Sequence, residues 1–228
     1  MSTRESRSLR FNKRNWVLSH LGEKVLLVQC PGIPINEIHQ STEILENKLQ
    51  HLLSDIVPSY DSIALFYNSD TEVLLEQLSA IEEIDTFSKV EQKHLEIPIC
   101  YELGLDQERI AGYNNIPVKT LIQLHESQNY SAILIGFTPG FIYLDGLNQK
   151  IACPRIENPR QKIPAGSVGI GGCQTGIYSL NSPGGWNIIG RTPYPLFDKS
   201  KVPPMNITPG TQISFFSITK AEFEAWES

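Results

Sequence analysis

The stretch that decides the fold is Leu134–Phe197, LIGFTPGFIYLDGLNQKIACPRIENPRQKIPAGSVGIGGCQTGIYSLNSPGGWNIIGRTPYPLF. It holds most of the glycines of the chain. The apolar runs in and beside it, Ile133–Ile135, Val168–Ile170 and Trp186–Ile189, are short and each is closed by Gly. Runs of that length read as successive strands joined by tight turns, the pattern of a small barrel or sandwich. From Leu134 to Asp198 five cations (Lys150, Arg155, Arg160, Lys162, Arg191) face three carboxylates (Asp145, Glu157, Asp198), a net +2 within a chain of net −6. A locally positive, glycine-rich region in an acidic protein is where a small anionic ligand is expected.

Outward from this stretch, 228 residues suffice for one large or two small domains with real cores. The acidic balance argues against general binding to nucleic acid or to an anionic membrane, both of which need a broad basic face. Cys30, Cys100, Cys153 and Cys173 lie far apart, without the spacing of a zinc site or redox pair, and read as reduced thiols. The N-terminus, MSTRESRSLRFNKRNW, lacks the apolar core of a secretory signal and reads as a solvated leader, so the expected location is cytoplasmic.

In chain order, Trp16–Ser19 and Lys24–Gln29 flank Gly22 and read as a hairpin. Ile35, Ile38, Thr42, Leu45, Leu49, Leu52 and Ile56 recur at steps of three and four and predict one helix between Pro34 and Pro58. Ser62–Tyr67 is a strand, Asp70 caps a second helix, and Leu95–Tyr101 is a further strand after a polar linker around Thr86–Lys93. The order β-β-α-β-α-β predicts an α+β fold class, with a small N-terminal α+β domain over residues 1–93 and a β-barrel domain over 94–228. Gln107–Gly112 and Val118–Glu126 read as two short helices; the second carries one fixed cation, Lys119, too few for a DNA-recognition helix, so the pair is expected to cap the barrel. Gln212–Ser217 reads as the closing strand and Lys220–Glu227 as a final helix.

Phosphate-loop signatures fail: no Gly-Lys-Ser/Thr follows the glycines, and Gln174 stands where a dinucleotide fingerprint needs Gly. Two readings of Gly171-Gly-Cys-Gln-Thr-Gly176 stay open: an anion nest assisted by Gln174 and Thr175, or a glycine-rich β-turn without a ligand. Arg155, Arg160 and Lys162 lie in a proline-braced loop, and Arg191 follows an apolar strand at the expected barrel rim. Their planar or point charges suit a carboxylate or phosphate. His125, near the central stretch, is the candidate catalytic acid or base, beside a structural role. No self-sufficient catalytic array and no metal-ligand spacing stands out, which points to a polypeptide whose site is completed by partners.

The run Gly136-Phe-Thr-Pro-Gly-Phe-Ile-Tyr-Leu, then Pro154-Arg, Pro159-Arg, Ile163-Pro-Ala-Gly-Ser-Val-Gly-Ile, Gln174-Thr-Gly-Ile-Tyr, Ser182-Pro-Gly-Gly-Trp and Ile189-Gly-Arg-Thr-Pro resembles the family of the 5-oxoprolinase B component, also called allophanate hydrolase subunit 1 or the KipI family. The resemblance spans nearly the whole chain. It departs from the family pattern at Tyr113-Asn-Asn-Ile, at Gly171-Gly-Cys-Gln and where Arg155 is followed by Ile156. It implies a cyclophilin-like barrel, and a protein that joins a homologous C component and a hydrolase, the A component, to open 5-oxo-L-proline to L-glutamate. ATP and magnesium would act at the level of that complex. It also implies two alternatives, inhibition of a sensor histidine kinase and a carboxyltransferase component of a urea carboxylase or allophanate hydrolase system. On the first reading Arg155, Arg160, Lys162 and Arg191 would surround developing phosphoryl charge.

Overall fold

Strand β1 (Arg7–Phe11) lies where the sequence predicts a solvated leader. In the computed structural model, which describes residues 7–11, 13–81 and 93–226, it pairs antiparallel with β2 (Arg14–His20) from Arg7↔Leu18 to Phe11↔Arg14. Leu9 and Phe11 alternate onto one face and are buried, and the Trp16 indole N–H donates to the Phe11 carbonyl at 3.0 Å. Two apolar residues at a period of two outweigh the polar composition around them.

The hairpin is completed by β3 (Val25–Gln29), with Gly22 in the left-handed region at φ 86°. Helix α1 (Ile35–Leu49) starts after Pro34 as expected but ends short of Ile56. Leu53–Pro58 is instead strand β4, paired with β5 (Ser62–Tyr67) through Ile56↔Leu65 and Pro58↔Ile63. Ile56-Val57-Pro58 is β-branched and proline-terminated, and the edge of β5 provides a partner that the helical stripe does not reveal. Helix α2 (Thr71–Ser79) is capped as predicted, with Asp70 Oδ1 accepting from the Glu72 N–H at 2.8 Å. The sheet order is β1-β2-β3-β5-β4, antiparallel throughout, and Trp16, Ile38, Leu45, Leu65 and Leu74 share its core. This unit is Met1–Glu91 and the second is Gln92–Ser228. Of the linker read at Thr86–Lys93, all but Lys93 lies outside the described residues.

The second unit begins with β6 (His94–Ile99), followed by helices α3 (Gln107–Asn114) and α4 (Val118–Glu126). Then come β7 (Asn129–Ile135), β8 (Ile142–Asp145), β9 (Arg160–Ile163), β10 (Ser167–Gly171), β11 (Gln174–Ile177), β12 (Ser182–Gly184), β13 (Asn187–Arg191), β14 (Gln212–Ser217) and α5 (Lys220–Trp226). Seven strands form one sheet in the order β13-β10-β11-β8-β7-β14-β6. Its two ends meet at Cys100 and Arg191, whose backbones exchange hydrogen bonds of 2.8 and 3.1 Å, so the sheet curls into a barrel. The strand read at Leu95–Tyr101 is the first strand of this barrel. It runs parallel to β14 from His94↔Gln212 to Ile99↔Ser217, a pairing that local sequence cannot announce. β9 and β12 make a separate two-stranded ribbon. Ile110 of α3 and Leu121 of α4 are buried in the barrel core, so the helix pair caps it. The architecture is α+β, an α+β unit followed by a barrel. Among the described residues no helix is long and apolar enough to cross a membrane.

Candidate functional site

Glycines prepare the site. An added Cβ at Gly171 would lie 2.7 Å from Trp186 Cδ2, at Gly176 3.0 Å from Trp186 Cζ3, and at Gly169 3.2 Å from the Trp186 Cβ. The indole thus lies on a bed of bare backbone provided by β10 and β11, a surface that no other residue type can offer. Phe141, Tyr143 and Tyr178 wall it in: Trp186 meets Phe141 at 5.4 Å and Tyr143 at 5.8 Å, and Phe141 meets Tyr178 at 4.9 Å, all edge to face. This edge-to-face geometry is the favoured arrangement of aromatic quadrupoles. The result is a pocket of about 260 Å³ with Phe137, Pro159 and Pro183 also in its lining. Burial raises the Tyr143 phenol pKa and pushes that of Tyr178 up to about 12, so both rings are neutral at physiological pH.

One cation lines this pocket. Arg155 sets its guanidinium 5.5 Å above the Trp186 ring, a cation–π contact. The loop that carries it is pinned on both sides. The Cys153 and Gly172 backbones exchange bonds of 3.1 and 2.8 Å, the Pro154 carbonyl accepts from Arg109 Nη1 at 3.1 Å and Asn187 Nδ2 at 3.0 Å, and the Ile156 N–H donates to Gly185 O at 2.8 Å. Asn187, fully buried, also donates to Ile170 O at 2.9 Å and accepts from Arg109. At the far end of the loop Arg160 Nη2 donates to Asp106 Oδ1 at 2.6 Å, while Asp106 Oδ2 accepts from the Ile188 N–H at 2.6 Å.

Of the residues singled out in the sequence, the structure brings Arg155 to the pocket and distributes the others. Arg160 is the ion-pair partner of Asp106, 7% exposed, so its charge braces the fold. Lys162 is exposed on β9. Arg191 donates from Nε to Ala165 O at 2.7 Å and lies 5.3 Å from the Phe223 ring. Gln174 is half-buried on β11, and Thr175 is buried. The glycine run is a β-hairpin between β10 and β11 turning at Gly172, φ 68°, and its flanking glycines accommodate Trp186. Sequence reasoning missed Asp106, Arg109 and Asn187 because their partners are remote in sequence. The Pro-Gly-Gly-Trp run was the available signal for the aromatic floor.

His125 is fully buried and does not line the pocket. Its Nδ1 is 2.8 Å from the Tyr101 hydroxyl and its Nε2 is 3.2 Å from Thr175 Oγ1, which itself donates to Gly169 O at 3.0 Å. With the threonine proton committed to that carbonyl, Nε2–H is the donor to Thr175 and Nδ1 the acceptor from Tyr101. Desolvation lowers the His125 pKa from 6.5 to about 3. The unfolded chain therefore binds a proton that the folded one refuses between those values, and stability falls as pH drops from about 6.5 toward 3. Replacing His125 by Gln should flatten this slope; denaturant midpoints measured from about pH 4 to pH 8 check it. An unchanged slope would show that other groups set the acid sensitivity.

The family described as carboxyltransferase domain, subdomain C and D, matches residues 16–207. The chain is 32% identical over 231 residues to the B component of 5-oxoprolinase from Bacillus subtilis, covering 92% of this chain and 96% of that one. It is 43% identical over 143 residues to the B component of 5-oxoprolinase from Haemophilus influenzae, covering 62% and 66%. Among solved structures, a conserved uncharacterised protein of Pyrococcus horikoshii is 38% identical with a TM-score of 0.56, covering 90% of this chain and 99% of that one.

Proposed function

The chain belongs to the family of carboxyltransferase-domain subdomains C and D, and from that premise we propose that it is the B component of a 5-oxoprolinase, a cyclic-amide hydrolase acting on 5-oxo-L-proline. The observation that carries this reading is identity to a bacterial B component along nearly the full length of both chains. The chemistry opens the lactam: water adds across the C–N bond and L-glutamate is released. A lactam carbonyl is a poor electrophile, so it must be activated, and ATP would supply the activation.

The Trp186 pocket does not fit the nucleotide. A triphosphate with magnesium needs several converging donors, and the pocket offers one guanidinium. Among the described residues no group of three or more His, Cys, Asp or Glu is placed to hold a metal ion. On this reading the nucleotide binds at the level of the assembled complex. What this chain supplies is an aromatic pocket with one cation beside it, suited to hold and orient a small acid.

The test is glutamate release from 5-oxo-L-proline with ATP and Mg²⁺ by the chain co-purified with the products of its adjacent genes, with and without this chain. Turnover should require it. Full turnover in its absence, or none from a folded complex, overturns the proposal.

A further inference from the structure

Arg155 differs from the other arginines described above. Arg109, Arg160 and Arg191 direct N–H groups at carbonyls or carboxylates, whereas no hydrogen bond or ion pair of the Arg155 guanidinium is found among the described residues. Its backbone is nevertheless fixed on both sides by the Pro154 and Ile156 bonds, and its guanidinium carbon lies 5.5 Å from the Trp186 ring centroid. The residue is exposed, so a cation carried on a fixed backbone beside the indole keeps its donors open for an anion at the pocket.

Size and shape narrow the anion. Drug-sized ligands occupy pockets of about 300–1,000 Å³, and this cleft of about 260 Å³ suits a ligand at or below the small end of that range. The floor and walls are aromatic faces and edges, suited to a compact ring, and one guanidinium matches one carboxylate. At the mouth Phe137 is 65% exposed and held at φ 70°, a left-handed conformation that a bulky residue rarely adopts. Strain of this kind is kept where the surroundings over-determine it, and such places concentrate at ligand clamps. Two buried hydroxyls without hydrogen-bond partners, Thr138 Oγ1 and Ser182 Oγ, adjoin the lining residues Phe137 and Pro183.

The geometry points to the Trp186 pocket as the binding site for a small cyclic monocarboxylate, with Arg155 on the carboxylate and the aromatic walls on the ring. Under the 5-oxoprolinase reading, on which the identity of the ring rests, that ligand is 5-oxo-L-proline itself. Arg155 is then a binding residue, and the clamp of Arg109 and Asn187 on Pro154 positions it.

Calorimetric titration of the full chain, alone and in the assembled complex, uses two probes: 5-oxo-L-proline and 2-pyrrolidinone, the same ring without its carboxylate. The acid should bind at least tenfold more tightly than the neutral lactam. Arg155→Ala should remove that difference while leaving the lactam affinity unchanged, Arg155→Lys should restore part of it, and the charge control Lys150→Ala should change nothing. In the complex, Arg155→Ala should act on KM for the acid rather than on kcat. Equal affinity for the two probes, no binding of the acid to chain or complex, or an Arg155→Ala chain that titrates like the parent overturns the assignment. If the complex turns over and Arg155→Ala behaves as the parent, the pocket assignment falls and the functional reading stands. If the complex is inactive but the acid binds in an Arg155-dependent way, the functional reading falls and the pocket assignment stands.

Discussion

Replacing Asp106 by Ala should destabilise the barrel by about 2–4 kcal/mol, toward the lower end of the cost of breaking a buried ion pair because the Arg160 side chain is 30% exposed. The carboxylate holds two groups at once, Arg160 Nη2 and the Ile188 N–H, each at 2.6 Å. The chain around it is tied to the same strand, because the Leu105 and Asp106 N–H groups both donate to Ile188 O at 2.9 Å. Without the carboxylate, the Ile188 N–H loses its partner and the Arg160 guanidinium, whose Nη1 is already buried without one, loses its counter-charge. Asp106→Asn separates the two effects, since an amide oxygen can accept from Ile188 but cannot neutralise Arg160. Denaturant titration of the three full-length chains should rank them parent, Asn, Ala. A loss below about 1 kcal/mol for Ala would mean that solvent replaces the carboxylate, as at an exposed pair. On this account Arg160→Ala also acts through the fold, whereas the sequence places Arg160 among the cations around a phosphoryl group.

The second large effect separates two adjacent glycines. Gly171→Ala places a methyl 2.7 Å from Trp186 Cδ2 and 2.8 Å from Cε2, closer than packed atoms approach, and the indole is walled by Phe141 and Tyr143. Overpacking of this kind costs about 1–3 kcal/mol, and the displaced ring takes the pocket floor and the Arg155 cation–π contact with it. Binding of 5-oxo-L-proline should fall at least tenfold. Gly172→Ala meets nothing within 4 Å and carries only the left-handed φ of 68°. It should cost about 1–2 kcal/mol in backbone strain while leaving ligand affinity unchanged. Calorimetry with thermal melts on both variants reads the two quantities separately. Equal affinity losses at 171 and 172 would show that the hairpin as a whole, rather than the Trp186 bed, supports the pocket.

Local signals in the sequence carried much of the fold. The Gly22 hairpin, the Asp70 cap, the paired helices before the barrel and the strand Gln212–Ser217 each announce themselves within a dozen residues, and each is present. What was not legible depends on distant partners. β1 exists because β2 lies beside it, β4 interrupts a helical stripe because β5 accepts it, and β6 joins β14 across more than half of the chain. The site follows the same division. The chain shows where positive charge and glycine concentrate, but not that Arg160 faces Asp106, that Arg191 is turned to Ala165, or that the glycines bear an indole. His125 stands near the right segment in sequence, yet its ring lies in the core between Tyr101 and Thr175.

The parallel pairing of β6 with β14 also sets the order of events during synthesis. β6 is made first among the barrel strands and β14 last, so β6 waits through the translation of β7 to β13 for its neighbour in the sheet. Until Gln212–Ser217 emerges, the sides of β6 and β7 that β14 will occupy remain open edges, the kind of surface on which other chains template. A nascent chain stalled short of that strand therefore carries an incomplete barrel, and its exposure to aggregation is decided by the last strand to leave the ribosome.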